Sequence, residues 1–526
     1  MNVKHCRRFR LRLLAGTLAA FPALSLFAEQ RTFDLSTATI AEIQAAMDAG
    51  ALTCERLVQL YLKRIEAYDK NGPRLNAVLQ IHPRSLEIAR ELDLERRTKG
   101  PRGPLHGIPV AVKDTVDVKD IPSAGGNLAL GGTYPFHDAT VVRKLREAGA
   151  LIFLKTNLDE FNLGAQGLSS LGGQVLNPYD LKRNPGGSSA GTGVAVNVRF
   201  AAVGIATETG ASIRSPASNN SLVGIAPSQG LVSRAGVIVI SYTQDRVGAH
   251  GKSVADAALL LTYLRGFDPE DLFTWESLGK LAPEPYTHDL DPKALVGARI
   301  GVFRDLFREG EPFAGINGLI EKEIEFIGKE GAVLVDGLRT GMDLVKFFPL
   351  ARASVYEFRF AFDAYLKHRG PDTPVRSLAE LKATGKYLKE MEESFGQALA
   401  VESPDFDPAY LARLENRLTI RRLIVDLMDR YQVEALVHPF KSVAAPPLGT
   451  GDRGIRDNPI SAVTGLPAIV VPAGVNEEGL PISLEILGRP FSEPRLIRLA
   501  YAYEQASQKR VAPKSTPPLQ GEVFRY

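Results

Sequence analysis

Two short segments rich in glycine and serine constrain the fold of this chain more than any other feature. The first reads Asn184-Pro-Gly-Gly-Ser-Ser-Ala-Gly191, and the second reads Ala206-Thr-Glu-Thr-Gly-Ala-Ser-Ile-Arg-Ser-Pro216 and continues an apolar stretch. Glycine and other small residues permit tight turns in which several backbone N–H groups converge on one point. We therefore expect two close-fitting turns that each present serine hydroxyls.

Short apolar segments alternate with helix-length segments along most of the chain. Hydrophobic periodicity predicts helices over 36–70, 84–97, 139–149, 254–264, 317–330 and 494–508. Short apolar runs predict strands over 110–112, 151–154, 200–206, 333–335, 435–438, 468–472 and 482–487. This alternation is typical of βαβ packing, so we predict an α/β fold with a largely parallel sheet.

Two segments interrupt the alternation. Residues 266–296 are charged and rich in proline, which indicates an irregular segment on the surface. Residues 341–430 are mainly helical and polar. A chain of 526 residues commonly forms two to four domains. Because strands resume after 430, we favour a single large domain over 29–526, with 341–430 as a helical insertion that covers a site.

The first 28 residues have the pattern of a secretory signal peptide. A basic head precedes the apolar run 13–27, which is too short to span a bilayer comfortably, and Ala28 is a small residue at the expected cleavage point. We therefore expect a periplasmic or secreted protein after cleavage near Ala28, with an uncleaved membrane anchor as the alternative. The Arg7-Arg8 pair suggests the twin-arginine route, and the general route stays open.

Removing this segment changes the charge balance. It holds five of the 63 Lys and Arg residues and none of the 60 Asp and Glu residues, which leaves 58 basic and 60 acidic residues. Such a balance does not favour nucleic-acid binding, and we expect no membrane span in the mature chain.

Cys54 would be the one remaining cysteine, which excludes an internal disulfide. The eight histidines lack the spacing of metal ligands, so we expect no metal or other cofactor.

Three residues of these segments can form an activated nucleophile without a histidine. Ser212 lies in the turn after the 200–206 strand, Ser188 lies in the other turn, and Lys113 ends a strand. A serine hydroxyl is a weak nucleophile until a base takes its proton. Burial favours the neutral form of lysine, which is a usable base near pH 7. We therefore predict a relay from Lys113 through Ser188 to Ser212.

These motifs resemble those of the amidase signature family of serine hydrolases. The likeness covers residues 40–265 and returns at 455–505, where Thr464-Gly-Leu-Pro-Ala-Ile-Val-Val-Pro-Ala-Gly474 matches the closing segment of the family. The resemblance implies a single α/β/α domain with a central mixed β-sheet flanked by helices. It also implies an amidase that converts a small-molecule or peptide amide to an acid and an amine or ammonia.

The resemblance assigns roles to individual residues. Ser212 would be the nucleophile that carries the acyl-enzyme, Ser188 the serine of an unusual cis peptide, and Lys113 the base. The backbone amides of the oxyanion hole would be those of Thr209, Gly210, Ala211 and Ser212. Three further residues would support the site: Ser189 beside the lysine, and Glu208 and Arg214 as an ion pair that braces the nucleophile turn.

Two departures from the family pattern lie close to these residues. Ala211 precedes the nucleophile where the family has glycine, and its methyl group is tolerated only if φ of Ala211 is negative. Gly248-Ala-His-Gly-Lys252 replaces a run that usually contains proline, methionine and arginine. We expect this second change to alter a pocket wall or a local ion pair and to leave the relay intact.

Other interpretations of the same residues compete with this one. Gly187-Ser-Ser-Ala-Gly191 also fits the G-x-S-x-G elbow, with Ser189 as the attacker and His438 as its base. We do not favour it, because an elbow follows a strand directly and 177–185 has the composition of a turn. Two alternative functions also remain open: a glutamine-hydrolysing subunit of a tRNA amidotransferase, and a non-catalytic binding protein on the same scaffold.

Overall fold

The computed structural model describes residues 31–450 and 458–526. The predicted signal peptide at 1–28 lies outside these residues. The strands of the described part are β1 (Thr32–Asp34), β2 (Val78–Ile81), β3 (Pro109–Lys113), β4 (Leu151–Thr156), β5 (Leu168–Ser169), β6 (Gly173–Gln174), β7 (Val203–Glu208), β8 (Val223–Ala226), β9 (Arg246–Gly251), β10 (Arg299–Phe303), β11 (Val333–Leu338), β12 (Ala435–Pro439), β13 (Ala468–Val475), β14 (Pro481–Leu487) and β15 (Val523–Arg525).

The α-helices of the same residues are α1 (Ile40–Asp48), α2 (Cys54–Arg64), α3 (Ser85–Lys99), α4 (Thr140–Glu147), α5 (Ala190–Asn197), α6 (Arg214–Asn219), α7 (Val254–Leu264), α8 (Glu311–Lys329), α9 (Leu344–Phe347), α10 (Ser354–His368), α11 (Leu378–Ala383), α12 (Met391–Leu399), α13 (Pro408–Tyr431), α14 (Ile460–Thr464) and α15 (Glu493–Ser507). The helix expected over 36–70 is wrong as one element. Gly50, with φ +71°, follows the end of α1, and the Thr53 side chain accepts from Arg56 N to start α2.

An eleven-stranded sheet forms the centre of the fold, in the order β11-β10-β12-β14-β13-β8-β9-β7-β3-β4-β2. Parallel pairs lie on both sides of the sheet, where β3 pairs with β4 and β7, and β10 pairs with β11 and β12. The strands between them pair antiparallel. The sheet is therefore mixed, as the family resemblance implied, and the largely parallel arrangement expected from the alternation is wrong.

The stretch 341–430 joins β11 to β12 and consists mainly of helices α9 to α13. Its aromatic residues enter a separate apolar cluster in which Phe358, Phe362 and Phe395 pack with Phe161 and Ile238 of the main domain. Burying such large rings contributes roughly 1.5–3 kcal/mol each. This cluster holds the helical stretch against the loops that follow β4 and β8.

The site predicted from the sequence lies at one edge of the sheet. Lys113 is the last residue of β3 and Glu208 the last residue of β7, and the two strands are parallel neighbours. The carboxyl ends of parallel strands meet at the same edge, which is where α/β proteins usually bind their ligands. Across the residues placed by the structure, no helix is long and apolar enough to cross a membrane.

Candidate active site

Lys113 is completely buried at the end of β3. Its Nζ lies 2.7 Å from Ser188 Oγ and donates a second hydrogen bond, 3.3 Å long, to the carbonyl of Thr207. Burial lowers the pKa of Lys113 to about 7, although the charges of Asp159, Asp245 and Glu208 act in the opposite direction. A large fraction of this lysine is therefore neutral near pH 7 and can accept a proton from the serine hydroxyl.

Ser188 lies in a turn that enters α5. The peptide bond between Gly187 and Ser188 is cis, as the family resemblance implied. Besides Lys113, the hydroxyl of Ser188 contacts Asn162 Oδ1 at 3.4 Å. Ser189 contacts the lysine indirectly, because its Oγ donates to the Thr207 carbonyl at 3.1 Å, and this carbonyl also accepts from Lys113.

The 209–212 turn lies beside the Ser188 turn, with Ser189 N donating to the carbonyl of Ser212 at 3.4 Å. Other donors hold the remaining carbonyls of the turn. Gln244 Nε2 donates to Thr209 O at 3.0 Å, Arg214 Nη2 to Gly210 O at 2.8 Å, and Ser215 N to Ala211 O at 2.7 Å. A trans peptide unit is planar, and its C=O and N–H point in opposite directions. A hydrogen bond that fixes the direction of each carbonyl therefore also fixes the direction of the N–H on the next residue.

The amides of Gly210, Ala211 and Ser212 consequently point away from these donors. Within residues 31–450 and 458–526, no group accepts a hydrogen bond from these three amides, and all three residues line a cavity. Unpaired N–H groups of consecutive residues that line a cavity can stabilise a developing oxyanion. The φ angle of Ala211 is not positive, which is the condition under which its methyl group is tolerated.

A buried network of charges braces this turn from behind. Glu208 accepts from Ile213 N at 2.9 Å and pairs with Arg214 at 3.1 Å and with Arg246. Arg214 also pairs with Glu485 on β14 at 2.9 Å. Burial acts to raise the pKa of Glu208, but the two guanidiniums outweigh it and hold that pKa below the usual value. Burial, together with the charge of Glu208, raises the pKa of Glu485 to about 7.

The cavity above the turn has a volume of about 350 Å³. Its base contains Asn162, Gly187 and the 209–212 turn. Most of its wall is apolar, and part of that wall belongs to the helical stretch 341–430. The apolar side chains of the wall come from Leu163, Ile240, Val345, Phe348, Pro349 and Pro459. Arg308, Arg352 and Ser354 also line the cavity, and a volume of this size with a mainly apolar wall and a few polar groups suits a small organic ligand.

Residues in the second departure from the family pattern lie beneath the site. His250, on β9, is fully buried and its Nε2 lies 2.7 Å from the carbonyl of Ile213. Burial lowers the pKa of His250 to about 4, so the ring is neutral at pH 7. Lys252 contacts the carbonyl of Ser36 instead, away from the cavity lining. The contact between Lys113 and Ser188 is present despite the changed run.

The structure contradicts the elbow interpretation. The residues before Gly187 form a turn and no strand, and Ser189 Oγ is bonded to Thr207. His438 lies on β12, five positions from β7 in the sheet, and its Nδ1 lies 3.1 Å from the carbonyl of Pro439. His438 is fully buried against Pro439 and Glu485 and cannot serve Ser189 as a base.

The sequence interpretation missed several residues of the site. Asn162 and Gln244 contact the relay and the 209–212 turn, while Arg246 and Glu485 complete the charge network. One signal was available, since Glu485 is the single charged residue in the apolar run 482–487. A charge at such a position is buried only with a partner. Asn162 and Gln244 carry no comparable signal.

The fold and the site together define an enzyme that hydrolyses amides. Comparison with known proteins agrees, because a family model described as Amidase matches residues 56–497. A probable amidase of Arabidopsis thaliana is 37% identical over 505 residues, covering 92% of each chain. The chain belongs to the Amidase family.

Solved structures and other relatives extend this result. The structure of native peptide amidase from Stenotrophomonas maltophilia matches with a TM-score of 0.82 and 40% identity, covering 91% of this chain and 99% of that chain. A glutamyl-tRNA(Gln) amidotransferase subunit of Halorhodospira halophila is 32% identical over 494 residues, covering 89% of this chain and 97% of the relative. The family thus includes both amidases and amidotransferase subunits.

Proposed function

We propose that this enzyme cleaves carboxylic amides through an acyl-enzyme on Ser212, with Ser188 and Lys113 as its proton relay. The observation that carries the proposal is the 2.7 Å contact between Ser188 Oγ and a fully buried lysine whose pKa is about 7. Only a lysine in this state can act as a base at neutral pH. The neighbouring turn supplies the nucleophile and unpaired amides.

The proposed reaction has the following steps. Lys113 takes the proton of Ser188, Ser188 takes the proton of Ser212, and Ser212 Oγ forms a bond to the amide carbon. The amides of 209–212 stabilise the oxyanion, and one such donor is commonly worth about 100- to 1,000-fold in kcat. The relay then returns a proton to the nitrogen as the C–N bond breaks. Water hydrolyses the resulting ester, releasing the acid and restoring the Ser212 hydroxyl.

Replacing the proposed nucleophile tests this assignment. Ser212→Ala should lower kcat for a simple amide by on the order of 10⁴-fold or more, because no other hydroxyl can form the ester. Ser218→Ala is the matched control, since it removes a buried hydroxyl from α6, six positions after Ser212. A fluorophosphonate probe should label the wild type and the control only. Turnover in Ser212→Ala at the wild-type rate would exclude this nucleophile.

The cavity indicates the class of amide. Its wall is mainly apolar, with Arg308 and Arg352 also in the lining, which favours an acyl group that is largely apolar, and its volume of about 350 Å³ accommodates a small amide or the end of a peptide. The peptide amidase relative supports a peptide amide as one substrate class. Measuring kcat/KM over a panel of amides with increasing acyl length, including peptide amides, tests this choice. A preference for short, charged acyl groups would contradict it.

The glutamine-hydrolysing alternative is tested with the same protein. A tRNA amidotransferase subunit works as part of an assembly, whereas an amidase is active alone. Purified protein should therefore hydrolyse simple amides at a higher kcat/KM than glutamine. Glutamine hydrolysis alone, without turnover of the amide panel, would favour the amidotransferase function. The absence of both turnover and fluorophosphonate labelling in folded protein would favour a binding protein.

We also propose that the enzyme is exported. The support is the sequence of residues 1–28, with its basic head, apolar run and small residue at Ala28. Cell fractionation, followed by N-terminal sequencing of the mature protein, tests the proposal, and a start near Glu29 is the expected result. Replacing Arg7 and Arg8 with lysine should block export if the twin-arginine route is used. Recovery of the full-length chain in the cytoplasm would contradict export.

A further inference from the structure

We propose that Gln244 is a positioning residue that orients the oxyanion amides of the 209–212 turn and joins this turn to the helical insertion. Gln244 lies in the segment between β8 and β9, is buried, and lines the cavity. Its side-chain amide uses both ends, because Nε2 donates to Thr209 O at 3.0 Å and Oε1 accepts from Ala353 N at 2.8 Å. This inference rests on the proposed acyl-transfer function.

The hydrogen bond from Gln244 Nε2 sets the direction of the Gly210 N–H, one of the amides proposed to bind the oxyanion. The carbonyl of Thr209 and the N–H of Gly210 belong to the same planar, trans peptide unit, so they point in opposite directions. A hydrogen bond that holds the carbonyl toward Gln244 therefore holds the Gly210 N–H toward the cavity. Asp245 holds the segment that carries Gln244, because its carboxylate accepts from Ile240 N at 2.7 Å and from Ser241 N at 3.2 Å. Gln244 thus fixes the start of the turn from a segment that is itself held in place.

The acceptor end of Gln244 contacts the start of α10. Ala353 precedes α10, and its neighbours Arg352 and Ser354 both line the cavity. The insertion is further attached to this segment because Glu357 accepts from Thr243 N at 3.1 Å and from Thr243 Oγ1 at 2.7 Å. A substrate that contacts the cavity wall at 352–354 is therefore connected through one side chain to the amides that stabilise its oxyanion.

The variant Gln244→Glu tests the donor end of the side chain without removing its acceptor end. A carboxylate still accepts from Ala353 N, but it cannot donate to Thr209 O. We expect kcat to fall by about 100-fold, the scale of a small misplacement of catalytic groups, with KM changed by less than about threefold. A trifluoromethyl ketone analogue of the substrate, which mimics the oxyanion, should lose affinity in parallel with kcat, whereas a ground-state amide inhibitor should not.

The pH dependence of this variant distinguishes loss of the hydrogen bond that orients the 209–212 turn from a general disturbance of the site. When the introduced carboxyl group is protonated at acid pH it can donate a hydrogen bond again, so the ratio of kcat/KM for Gln244→Glu to that of the wild type should rise as the pH falls. Gln244→Met cannot donate at any pH, and its ratio should stay constant. The ionisable groups on the surrounding elements, Asp245, Arg308, Arg352, Glu357 and Arg417, are present in all three proteins, and Gln244→Met shows any change of the ratio with pH that comes from them alone.

A matched control and the contrary outcomes complete the test. Gln229→Glu makes the same chemical change at a glutamine whose Oε1 accepts from Arg417, outside the cavity lining, and it should leave kcat unchanged. A wild-type kcat in folded Gln244→Glu, a loss confined to KM, or a ratio that does not vary with pH would each overturn the role of Gln244. Failure of the acyl-transfer proposal would appear separately, as turnover in Ser212→Ala.

Discussion

Two fully buried lysines on neighbouring strands show how contacts decide what a lysine does. Lys155 on β4 donates to Ser123 Oγ at 2.8 Å, bonds the Val116 carbonyl, and lies 3.5 Å from Asp114. Lys113 on β3 contacts a serine hydroxyl and a carbonyl instead. Burial lowers the pKa of both amines. Lys155 therefore anchors the turn after β3, while Lys113 faces a group whose proton it can accept.

The pH dependence of the enzyme should follow the charge of Lys113. The neutral amine is the active form, so kcat/KM should rise by about tenfold per pH unit below pH 7 and level off above it. Lys113→Arg should be inactive over the whole range, because a guanidinium keeps its proton. Steady-state kinetics from pH 5 to 9 measure both. Activity that falls as the pH rises through 7 would contradict the role of Lys113 as base.

Removing the charge of Glu208 should destabilise the fold. Glu208→Gln leaves Arg214 and Arg246 buried with a weaker counter-charge, and breaking a buried pair costs about 3–5 kcal/mol. The folded-state pKa of Glu208 is lowered, so its stabilisation is present above the usual carboxyl pKa and is lost as the pH falls. The difference in urea stability between wild type and variant should therefore shrink toward acid pH.

Glu147→Gln provides the comparison for Glu208, since Glu147 is exposed and its distance to Arg143 is 4.0 Å. Exposed pairs contribute little, so this variant should lie within about 0.5 kcal/mol of the wild type. Equal stabilities of the Glu208 and Glu147 variants would show that the network behind the 209–212 turn is not stabilising.

At the scale of residues, the sequence predicted those that belong to local motifs. The spacing of two glycine-rich turns and one strand end led to the prediction of Lys113, Ser188 and Ser212, of which the structure places Lys113 and Ser188 in direct contact. The partners it missed make contacts between distant positions. Gln244 lies 109 positions from Ala353, and Glu485 lies 271 positions from Arg214. No local pattern encodes such pairs, which exist only after the sheet has brought the segments together.

At the scale of elements, the sequence predicted the type of most helices and strands but not how the strands pair. Alternation with helices suggested parallel strands, yet β13 and β14 form an antiparallel hairpin. Its connection runs from Asn476 to Leu480, where Gly479 has φ +78° and the Asn476 side chain accepts from Glu478 N. A short loop that contains glycine is a hairpin signal, so this antiparallel pair was predictable from the sequence.

The carboxylate of Glu357 attaches α10 to the segment between β8 and β9. Buried Glu357 accepts from Ser241 Oγ, from both the amide and the hydroxyl of Thr243, and from Tyr410 OH at 2.9 Å. Glu357→Gln replaces one accepting oxygen with a donor and leaves buried hydroxyls unpaired, at a cost of about 1–3 kcal/mol. Hydrogen exchange should become faster in 354–368 and 240–243.

Glu393→Gln is the control for this change, because Glu393 is exposed on α12 of the same insertion. Its exchange pattern and urea midpoint should match those of the wild type. If Glu357→Gln also matched the wild type, the apolar contacts of Phe358, Phe362 and Phe395 alone would account for the attachment of α10.

At the scale of the whole molecule, the two ends of the described chain close on each other. β1 pairs antiparallel with β15, with Phe33 opposite Phe524 and their rings stacked at 4.9 Å. The segment before β15 is held by Arg64 of α2, which pairs with buried Glu522 at 2.8 Å. The sequence contains no signal for this pairing, because the two strands are short and are the first and last elements of the described chain.

The position of β1 makes the predicted signal cleavage compatible with the fold. β1 begins at Thr32, four positions after Ala28, so a chain of 29–526 keeps the whole strand. A chain of 36–526 loses β1 together with Phe33 and Leu35, which are 2% and 1% exposed. Burying two such side chains contributes roughly 1.5–3 kcal/mol each.

We therefore expect 29–526 to unfold at the same urea concentration as the full-length chain, and 36–526 to unfold at a clearly lower one. Because β1 and β15 form a sheet apart from the central one, kcat at 25 °C should be similar in all three. Equal stability of 29–526 and 36–526 would show that closure of the ends does not stabilise the fold.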